Sequence, residues 1–298
     1  MNIGIVGLGR MGQGIAARLI ENNHTVFGFD PTPQAQLDAQ KVGVTLANSL
    51  DQLAQKVRVF WLMIPAGALI DTTIEQLLPH LQPHDILVDG GNSWFKDSQR
   101  RAALLTEKNI HFLDCGTSGG LAGREQGYSL MIGGQQEIFE QLEDIFAALA
   151  APNGYGYVGP TGAGHYVKMV HNGIEYSLLQ AYAEGFHLLK QGSYPNLDLE
   201  KISQIWLNGS IVRSWILQLA NNVFTRDQEL KNIAGEIGEN QTGRWTLDEA
   251  QHHNVPMAML KDALDIRTWS RETGGNYGTK VVAMLRNEFG GHAVKEKE

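Results

Sequence analysis

The sequence predicts an α/β domain built on a doubly wound sheet, followed by an all-α domain that starts with a long interdomain helix. Two observations predict this arrangement. Short β-branched runs alternate with amphipathic helical patterns through the first half of the 298-residue chain, and strand patterns stop near Val158. Alternation of strands and helices is typical of βαβ units, in which helices cover both faces of a parallel sheet.

Five apolar runs in the first half are predicted to be buried strands. They are Ile3–Gly7, Thr25–Asp30, Val57–Ile64, Ile86–Asp89 and His111–Cys115. Amphipathic patterns between several of them, such as Met11–Glu21 and Leu69–Leu81, indicate helices. The first half therefore reads as successive strand–helix units.

The pattern changes near Pro152–Gly156, and beyond Val158 the chain reads as helices with short breaks. A helical pattern can run from His165 to about Lys190, which is longer than most helices of globular proteins. We place the domain boundary just before this helix. The predicted domains are residues 1–160 and residues 161–298.

Composition argues against several classes of protein. A net charge of −8 and a pI near 5.7 argue against nucleic acid or an acidic membrane face as the main partner. A single cysteine, Cys115, excludes a disulfide framework within the chain and fits a reducing compartment. The apolar run Met1–Val6 reads as a strand rather than a signal peptide, and no apolar stretch is long enough for a bilayer. A soluble, cytoplasmic protein is expected.

A glycine-rich turn follows the first predicted strand and opens the first helix. Its GxGxxG sequence is Gly7-Leu8-Gly9-Arg10-Met11-Gly12. The first glycine allows a tight turn, the second lets the backbone approach a pyrophosphate, and the third lets helix and strand pack closely. The helix N-terminus then presents unpaired N–H groups to the phosphates. We interpret residues 1–160 as a Rossmann-type dinucleotide-binding domain, with a plain structural turn as the alternative.

An acidic residue at the end of the second strand favours one cofactor. Asp30 lies 18 positions after Gly12, where its carboxylate can accept hydrogen bonds from a ribose 2′-hydroxyl. It would repel a 2′-phosphate, and the stretch Pro31–Gln40 contains no Lys or Arg to neutralise one. NAD is therefore predicted over NADP. FAD is disfavoured because no second flavin-type signature is present.

Two polar, glycine-rich loops follow later strands, at the edge where open α/β sheets bind ligands. One runs from Asp89 to Ser93 and the other from Cys115 to Gly120. Their backbone N–H groups can hold carboxylate or hydroxyl oxygens. A tight turn without a ligand is the competing interpretation of each.

The long helix carries polar side chains on one stripe. With about 3.6 residues per turn, Lys168, Asn172 and Glu175 project together. A solvated face is the ordinary interpretation, but apolar residues flank this stripe, at Val167, Met169, Val170 and Ile174. Apolar surroundings remove solvation from a lysine and lower its pKa toward a value useful for a base.

Taken together, these residues resemble 6-phosphogluconate dehydrogenase, a family of the β-hydroxyacid dehydrogenase superfamily. The matching segments follow family order along nearly the whole chain: GLGRMG at Gly7–Gly12, GGNSW at Gly90–Trp94, SGG at Ser118–Gly120, GHYVKMVHNGIEY at Gly164–Tyr176, TGRWT at Thr242–Thr246 and RNEFGGH at Arg286–His292. The segments ending at Tyr176 and His292 are highly specific, whereas the superfamily shares GxGxxG. The chain looks shorter than the longer family members, as in the short-chain, NAD-preferring type.

The resemblance implies oxidative decarboxylation of 6-phosphogluconate to ribulose 5-phosphate with reduction of NAD, as in the pentose phosphate pathway and gluconate utilisation. Lys168 would act as general base on the 3-hydroxyl while C3 gives its hydride to the nicotinamide. Glu175 would then act as general acid. No metal is required, because the ketone formed at C3 serves as the electron sink for decarboxylation.

The resemblance also implies which residues bind. The substrate's carboxylate and hydroxyls would be held by Asn92, Ser118, Gly119, Gly120, His171 and Asn172, and its phosphate by Tyr176, Arg267, Arg286 and His292. The cofactor would be held by Gly7, Leu8, Gly9, Arg10, Met11, Gly12, Asp30, Met63, Ile64, Pro65 and Asn92. In the family, the RNEFGGH segment reaches in from a neighbouring subunit. An obligate homo-oligomer, a dimer or tetramer, is therefore implied, with the C-terminal tail completing a neighbouring active site.

Two departures from the family pattern concern positive charge. Glu239-Asn240-Gln241 stands where many members carry a lysine that contacts phosphate, and whether Arg244 replaces it is open. Pro65 stands where longer members carry a lysine near the cofactor. Both departures bear on NADP use and phosphate affinity more than on the chemistry.

Metal binding is not expected at either histidine pair. Pro83 breaks the helix that would align His80 with His84, and His252-His253 lacks nearby partners. Cys115 is predicted to be a small buried residue rather than a nucleophile, since no evident base accompanies it.

Two other functions stay open. An NAD-dependent 3-hydroxyacid dehydrogenase of the 3-hydroxyisobutyrate or glyoxylate reductase type would share the fold, the glycine-rich turn and a lysine on the long helix. It would have no use for Glu175 as a proton donor or for an Arg/His tail that holds phosphate. A non-catalytic NAD-binding sensor would keep the fold and lose the chemistry.

Overall fold

The computed structural model describes residues 1–297, and the chain divides into two compact units. The first extends from Met1 to Met169 and the second begins at Val170. The predicted division at residue 160 lies slightly before this one.

Within residues 1–297, eight strands form one sheet in the first unit. They are β1 (Asn2–Val6), β2 (Thr25–Phe29), β3 (Thr45–Leu46), β4 (Val59–Leu62), β5 (Ile86–Asp89), β6 (His111–Ser118), β7 (Tyr128–Gly134) and β8 (Ala150–Gly159). Their order is β3-β2-β1-β4-β5-β6-β7-β8, and β1 to β6 are parallel. The direction in which strands are added reverses between β1 and β4, which is where doubly wound sheets bind nucleotides.

Helices cover both faces of this sheet. They are α1 (Arg10–Glu21), α2 (Pro33–Lys41), α3 (Leu50–Ala54), α4 (Ala68–Leu77), α5 (Phe95–Thr106), α6 (Gly123–Gln126), α7 (Gln136–Gln141) and α8 (Glu143–Leu149). Successive side chains of β4 enter different clusters: Trp61 joins one hydrophobic core, while Phe60 and Leu62 join the other. This alternation is the period of a strand buried on both faces and confirms the predicted doubly wound architecture.

The last two strands were not predicted. β7 pairs antiparallel with β6, and β8 pairs parallel with β7. The Pro152–Gly156 segment, read from sequence as the end of the sheet, lies inside β8. Because β8 is at the sheet's edge, a proline there removes no ladder hydrogen bond on its open side.

Helix α9 (Ala163–Gln191) begins in the first unit and continues into the second. It confirms the long helix predicted from about His165 to Lys190. Among the helices of residues 1–297, none combines the length and apolar character needed to cross a membrane.

The second unit is helical, as predicted. Its further helices are α10 (Leu199–Leu207), α11 (Trp215–Arg226), α12 (Thr242–His252), α13 (Ala258–Thr273) and α14 (Tyr277–Gly290). A capping box between Asn276 and Thr279 starts α14 and satisfies N–H groups that a helix start leaves unpaired. A core that includes Phe186, Phe224 and Val281 holds the unit together.

The single cysteine, Cys115, lies in β6 and is buried, as expected. Burial raises the pKa of its thiol, which disfavours the reactive thiolate. Cys115 is therefore part of the sheet's packing.

Candidate active site

The glycine-rich turn between β1 and α1 has the geometry that a dinucleotide requires. Gly7 has φ +95°, and a Cβ there would lie 2.4 Å from the Met63 carbonyl oxygen. A Cβ on Gly12 would lie 2.0 Å from the Gly7 carbonyl oxygen, so this residue allows close packing of helix and strand. A Cβ on Gly9 would meet nothing within 4 Å. The turn is therefore closed where it meets protein and open at Gly9, where a pyrophosphate would approach.

Asp30 closes the same turn from the end of β2. Its carboxylate accepts hydrogen bonds from the backbone N–H of Leu8 at 2.8 Å and of Thr32 at 2.8 Å. Each carboxylate oxygen has a second lone pair, so Asp30 can also accept a hydrogen bond from a ribose hydroxyl. The carboxylate therefore supports the glycine-rich turn as well as standing where a nucleotide would bind, and the first of these roles was not predicted.

The predicted cofactor residues Met63, Ile64 and Pro65 follow β4, directly beside this turn. The Met63 N–H donates to the Val6 carbonyl at 2.7 Å, which continues the β1–β4 pairing to the strand ends. The fold thus brings the segment after β4 next to Gly7–Gly12, at the point where strand order reverses.

Asn92 lies on the loop after β5 with its side chain exposed. Both neighbouring positions are buried: the Ser93 hydroxyl donates to Asp89 at 2.7 Å, and the Gly91 N–H donates to Asp89 at 3.2 Å. The Asp89 carboxylate therefore holds the residues on both sides of Asn92, and Asn92 itself points to the surface.

The polar loop after β6 occupies a position similar to that of the Asn92 loop after β5. It contains Ser118, Gly119 and Gly120. Ser118 ends β6, and the two glycines turn the chain through positive φ values of +115° and +53°. All three are partly exposed. The fold places them after β6, as Asn92 is placed after β5.

Lys168 is buried, with 6% of its surface exposed, but only part of the predicted apolar surroundings is buried with it: Met169 is 1% exposed. Of the apolar residues expected to cover it, Val167 is 37% exposed and Ile174 is 54% exposed. What Lys168 packs against is Gly116 of β6: a Cβ there would lie 2.4 Å from the lysine Cβ. A glycine on the strand lets the helix approach closely, and this long-range contact is invisible to helical periodicity.

Asp114 of β6 holds the start of α9, a role that the sequence analysis missed. Its fully buried carboxylate accepts hydrogen bonds from the N–H groups of Gly162 at 2.6 Å and His165 at 2.8 Å. The His165 Nδ1 in turn lies 2.7 Å from the Ser98 hydroxyl of α5. A carboxylate at a helix N-terminus satisfies unpaired donors and interacts favourably with the helix dipole. An acidic residue inside an apolar strand was the available signal.

In the second unit, α9 presents Asn172 and Tyr176 to the start of α12. The Asn172 side-chain amide donates to the Thr242 hydroxyl at 3.3 Å, and the Tyr176 hydroxyl donates to the Asn240 side-chain oxygen at 2.7 Å. His171 contacts the same cluster, with Nδ1 3.1 Å from the Asn172 oxygen. The residues at and just before the start of α12 therefore fix these side chains of α9, although no role had been assigned to Asn240 or Thr242.

Arg267 and Arg286 come together near the same tyrosine. The Arg267 guanidinium stacks 3.5 Å from the centre of the Tyr176 ring and lies 3.5 Å from the Gly238 carbonyl. A Cβ on Gly238 would be 3.2 Å from the Arg286 guanidinium. Burial lowers the pKa of Arg267 to about 10, with the charge of Arg286 acting in the same direction, and burial also lowers the pKa of Arg286. Within residues 1–297, neither arginine has a carboxylate at salt-bridge distance.

The segment that departs from the family pattern neutralises two other arginines. Glu239 accepts from Arg244 at 2.7 Å and from Arg271 at 3.0 Å. Arg244 also donates to the Thr268 hydroxyl at 3.0 Å. In this structure Arg244 is thus paired with protein groups, and Asn240 positions Tyr176 instead of supplying a charge.

His292 lies just beyond the end of α14, on the exposed surface. Its ring packs edge-on against Phe289, and its carbonyl accepts from the Asn287 side chain at 2.8 Å. The tail beyond it pairs with its own chain, where the Ala234 N–H donates to the Lys295 carbonyl at 2.8 Å. Delivery of His292 to a neighbouring subunit stays a prediction, whereas Arg286 and Arg267 both lie close to Gly238 of their own chain.

Over the described part of the chain, no group of three or more His, Cys, Asp or Glu side chains is arranged to hold a metal ion.

Family models match both units. The NAD-binding domain of 6-phosphogluconate dehydrogenase matches residues 2–160, and the C-terminal domain of 6-phosphogluconate dehydrogenase matches residues 164–295. The chain belongs to the 6-phosphogluconate dehydrogenase family. It is accordingly an oxidoreductase with an NAD(P)-binding domain.

Individual relatives agree with this membership. A Haloferax volcanii protein named as NAD(+)-dependent, decarboxylating 6-phosphogluconate dehydrogenase is 42% identical over 303 positions, covering 100% of both chains. A Bacillus subtilis 6-phosphogluconate dehydrogenase, named as NADP(+)-dependent and decarboxylating, is 36% identical over 89% of this chain but only 60% of its own length. The chain is therefore shorter than some family members, as the sequence suggested.

Solved structures add the fold. The 3-hydroxyisobutyrate dehydrogenase of Salmonella typhimurium superposes with a TM-score of 0.80 over 95% of this chain and 99% of its own, at 23% identity. This chain therefore shares its fold with a structure named as a 3-hydroxyisobutyrate dehydrogenase. Substrate choice has to be argued from individual side chains.

Proposed function

We propose that the protein oxidises and decarboxylates 6-phosphogluconate to ribulose 5-phosphate and carbon dioxide, with NAD as hydride acceptor. The observation that carries this proposal is the pair Arg267 and Arg286, two buried cations beside Tyr176 without a carboxylate partner in residues 1–297. An unpaired buried charge is costly, so such a pair favours an anionic ligand. A phosphate dianion would neutralise both guanidinium groups and can accept bidentate hydrogen bonds.

NAD would be held by the Gly7–Gly12 turn and Asp30. When bound, it accepts the hydride from C3 of the substrate. The open space at Gly9 and the acidic residue after β2 fit a dinucleotide without a 2′-phosphate. Use of NAD by the Haloferax volcanii relative, as its name states, supports the same choice.

The chain's own residues would supply the proton transfers. Lys168 takes the proton of the 3-hydroxyl as C3 is oxidised to a ketone. The resulting β-keto acid loses carbon dioxide, and the C–C bonding electrons move into the enediol, with protonated Lys168 stabilising its oxygen. Glu175 then donates a proton to the carbon that becomes C1 of ribulose 5-phosphate. Asn92, Ser118, Gly119, Gly120, His171 and Asn172 would orient the carboxylate and hydroxyls.

Incubating the purified protein with NAD and 6-phosphogluconate tests this function. We expect NADH and carbon dioxide to form in equal amounts, with ribulose 5-phosphate as the sugar product. NADH without carbon dioxide, or turnover of 3-hydroxyisobutyrate in preference to 6-phosphogluconate, would favour the 3-hydroxyacid dehydrogenase alternative. Its support is the fold shared with the Salmonella typhimurium enzyme.

Substituting Arg286→Gln is expected to weaken selection for the phosphate. Charge-assisted hydrogen bonds contribute about 1.5–3 kcal/mol each, so the KM for the phosphorylated sugar acid should rise about 10- to 100-fold. The measurement compares kcat/KM for phosphorylated and unphosphorylated gluconate, and the ratio of the two should fall with the KM effect. The matched control is Arg226→Gln, an exposed arginine paired with Glu288, which should leave the ratio unchanged. An unchanged ratio in Arg286→Gln would show that Arg286 does not contact the phosphate.

A further inference from the structure

Helix α5 carries a buried arginine that neither the sequence analysis nor the proposed mechanism uses. Arg101 is 1% exposed, and every nitrogen of its guanidinium has a hydrogen-bond partner. Its neighbours on the same helical stripe, Ser98 and Leu105, are also buried. This arginine therefore faces the protein interior rather than solvent.

The partners of Arg101 come from three separate segments. Nε and Nη2 donate to the Asp71 carboxylate of α4 at 2.8 and 3.3 Å. Nη2 also donates to the Gly67 carbonyl at 3.1 Å, in the segment between β4 and α4. Nη1 donates to Asp89 at 3.4 Å and to the Ser93 hydroxyl at 3.3 Å, on either side of Asn92. A single planar fork thus joins the segment after β4 to the loop after β5.

These two segments adjoin residues that the family resemblance assigns to the cofactor and the substrate. The first follows directly from Met63, Ile64 and Pro65, and the second carries Asn92. Gly67 has φ +98° and no side chain. Its position therefore depends on contacts to its backbone, such as the hydrogen bond that its carbonyl accepts from the Arg101 side chain. Asn92 is exposed, and its direction is set by the buried residues on either side.

The positive charge of Arg101 is balanced by the nearby carboxylates of Asp71 and Asp89. Burial alone would raise the pKa of Asp71, but hydrogen bonds from Arg101 and Arg100 bring it below its usual value. Asp89 is fully buried beside the same guanidinium. A buried arginine that uses its whole fork has a geometric role that lysine, with a single ammonium, cannot reproduce.

We propose that Arg101 is a positioning residue that holds the Pro65–Gly67 segment and the Gly90–Ser93 loop together, and so sets both cofactor affinity and the orientation of Asn92. This inference rests on the proposed function for the roles of the two segments. Arg101 itself does not touch the reacting atoms. It acts through Gly67 on the cofactor side and through Asp89 and Ser93 on the substrate side.

The test compares Arg101→Lys with Arg100→Lys. Arg100 is adjacent on α5 and also pairs with Asp71, but its side chain is 55% exposed. NADH affinity is measured by fluorescence titration, together with kcat, the KM values for cofactor and sugar substrate, and the melting temperature. We expect Arg101→Lys to weaken NADH binding and to lower kcat, each about tenfold or more, because several charge-assisted hydrogen bonds are lost. Arg100→Lys should stay within about twofold of the wild type.

A second variant separates the two sets of Arg101 contacts, the arm to Asp71 and Gly67 and the arm to Asp89 and Ser93. It also keeps the proposal testable if Arg101→Lys does not fold. Ser93→Ala removes one hydroxyl from the Asn92 loop and leaves the Asp71 and Gly67 contacts of Arg101 in place. Because Asn92 is assigned to the substrate and also to the cofactor, we expect Ser93→Ala to change kcat or the KM for the sugar substrate more than it changes NADH affinity. Asp71→Asn weakens the other arm and should impair NADH binding more than Ser93→Ala does.

The proposal is wrong if Arg101→Lys folds and retains wild-type NADH affinity and kcat. It is also wrong if Ser93→Ala and Asp71→Asn change both properties in the same proportion, as a general loss of stability would. NADH titration needs no sugar substrate, so the cofactor arm is tested even if the protein does not turn over 6-phosphogluconate.

Discussion

Replacing Lys168 with methionine is expected to lower kcat by about 10²- to 10⁴-fold, the usual contribution of a positioned acid or base. Methionine keeps the length and apolar stem of the side chain, so packing against Gly116 should be preserved. NADH affinity should therefore stay close to that of the wild type. Steady-state turnover of 6-phosphogluconate and NADH titration together measure this separation of chemistry from binding.

A surface lysine provides the control for this substitution. Lys261→Met removes a side chain that is 60% exposed and paired with Asp265, and it should leave turnover unchanged. Glu175→Gln should lower kcat with little effect on binding, since the amide can still donate a hydrogen bond but supplies no acid proton. Full turnover by Lys168→Met would rule out Lys168 as the base. A wild type that binds NADH but turns over no hydroxyacid would instead favour the non-catalytic NAD-binding sensor.

The double substitution Asp30→Ala with Thr32→Arg is expected to reverse cofactor preference. Alanine removes the negative charge that would repel a 2′-phosphate, and arginine adds a positive one two positions further along the chain. The measurement is the ratio of kcat/KM for NAD to kcat/KM for NADP, which should change in favour of NADP. A wild type that already prefers NADP would contradict the role assigned to Asp30.

The structure shows that this experiment needs a stability control. Asp30 also accepts the buried Leu8 N–H, and leaving a buried donor unpaired costs about 1–3 kcal/mol. Asp30→Asn with Thr32→Arg keeps one side-chain oxygen that can accept this N–H. If both double variants favour NADP and only the alanine variant melts earlier, charge and not damage to the turn explains the change.

Much of the fold was predictable because the signals are local. Each βαβ unit is recognisable within a few dozen residues, and α9 was predicted nearly to its observed ends. β7 and β8 were missed because their pairing depends on partners elsewhere in the sheet, and the sequence pattern changes at Pro152–Gly156, inside β8. An edge strand tolerates that proline, but nothing local identifies β8 as an edge.

The candidate site also contains features that the sequence predicted and features that it did not. Lys168 was correctly predicted to be buried, while the proposed apolar cover was wrong for Val167 and Ile174. Arg101 and Asp114 were missed, because a charged residue in a helix or strand is ordinarily solvated. Their partners, such as Asp71 for Arg101 and Gly162 for Asp114, are distant in sequence.

Spacing along the chain was sufficient for the nucleotide turn, since three glycines and Asp30 act within one strand–helix–strand unit whose geometry is nearly invariant. Only the tertiary structure determines which groups surround the charged side chains. The Gly116 backbone beside Lys168, the Tyr176 ring beneath Arg267 and the fork of Arg101 all join distant segments. Hydrogen bonds and burial act over a few ångströms of space whatever the distance along the chain, so these contacts exist only once the core has packed.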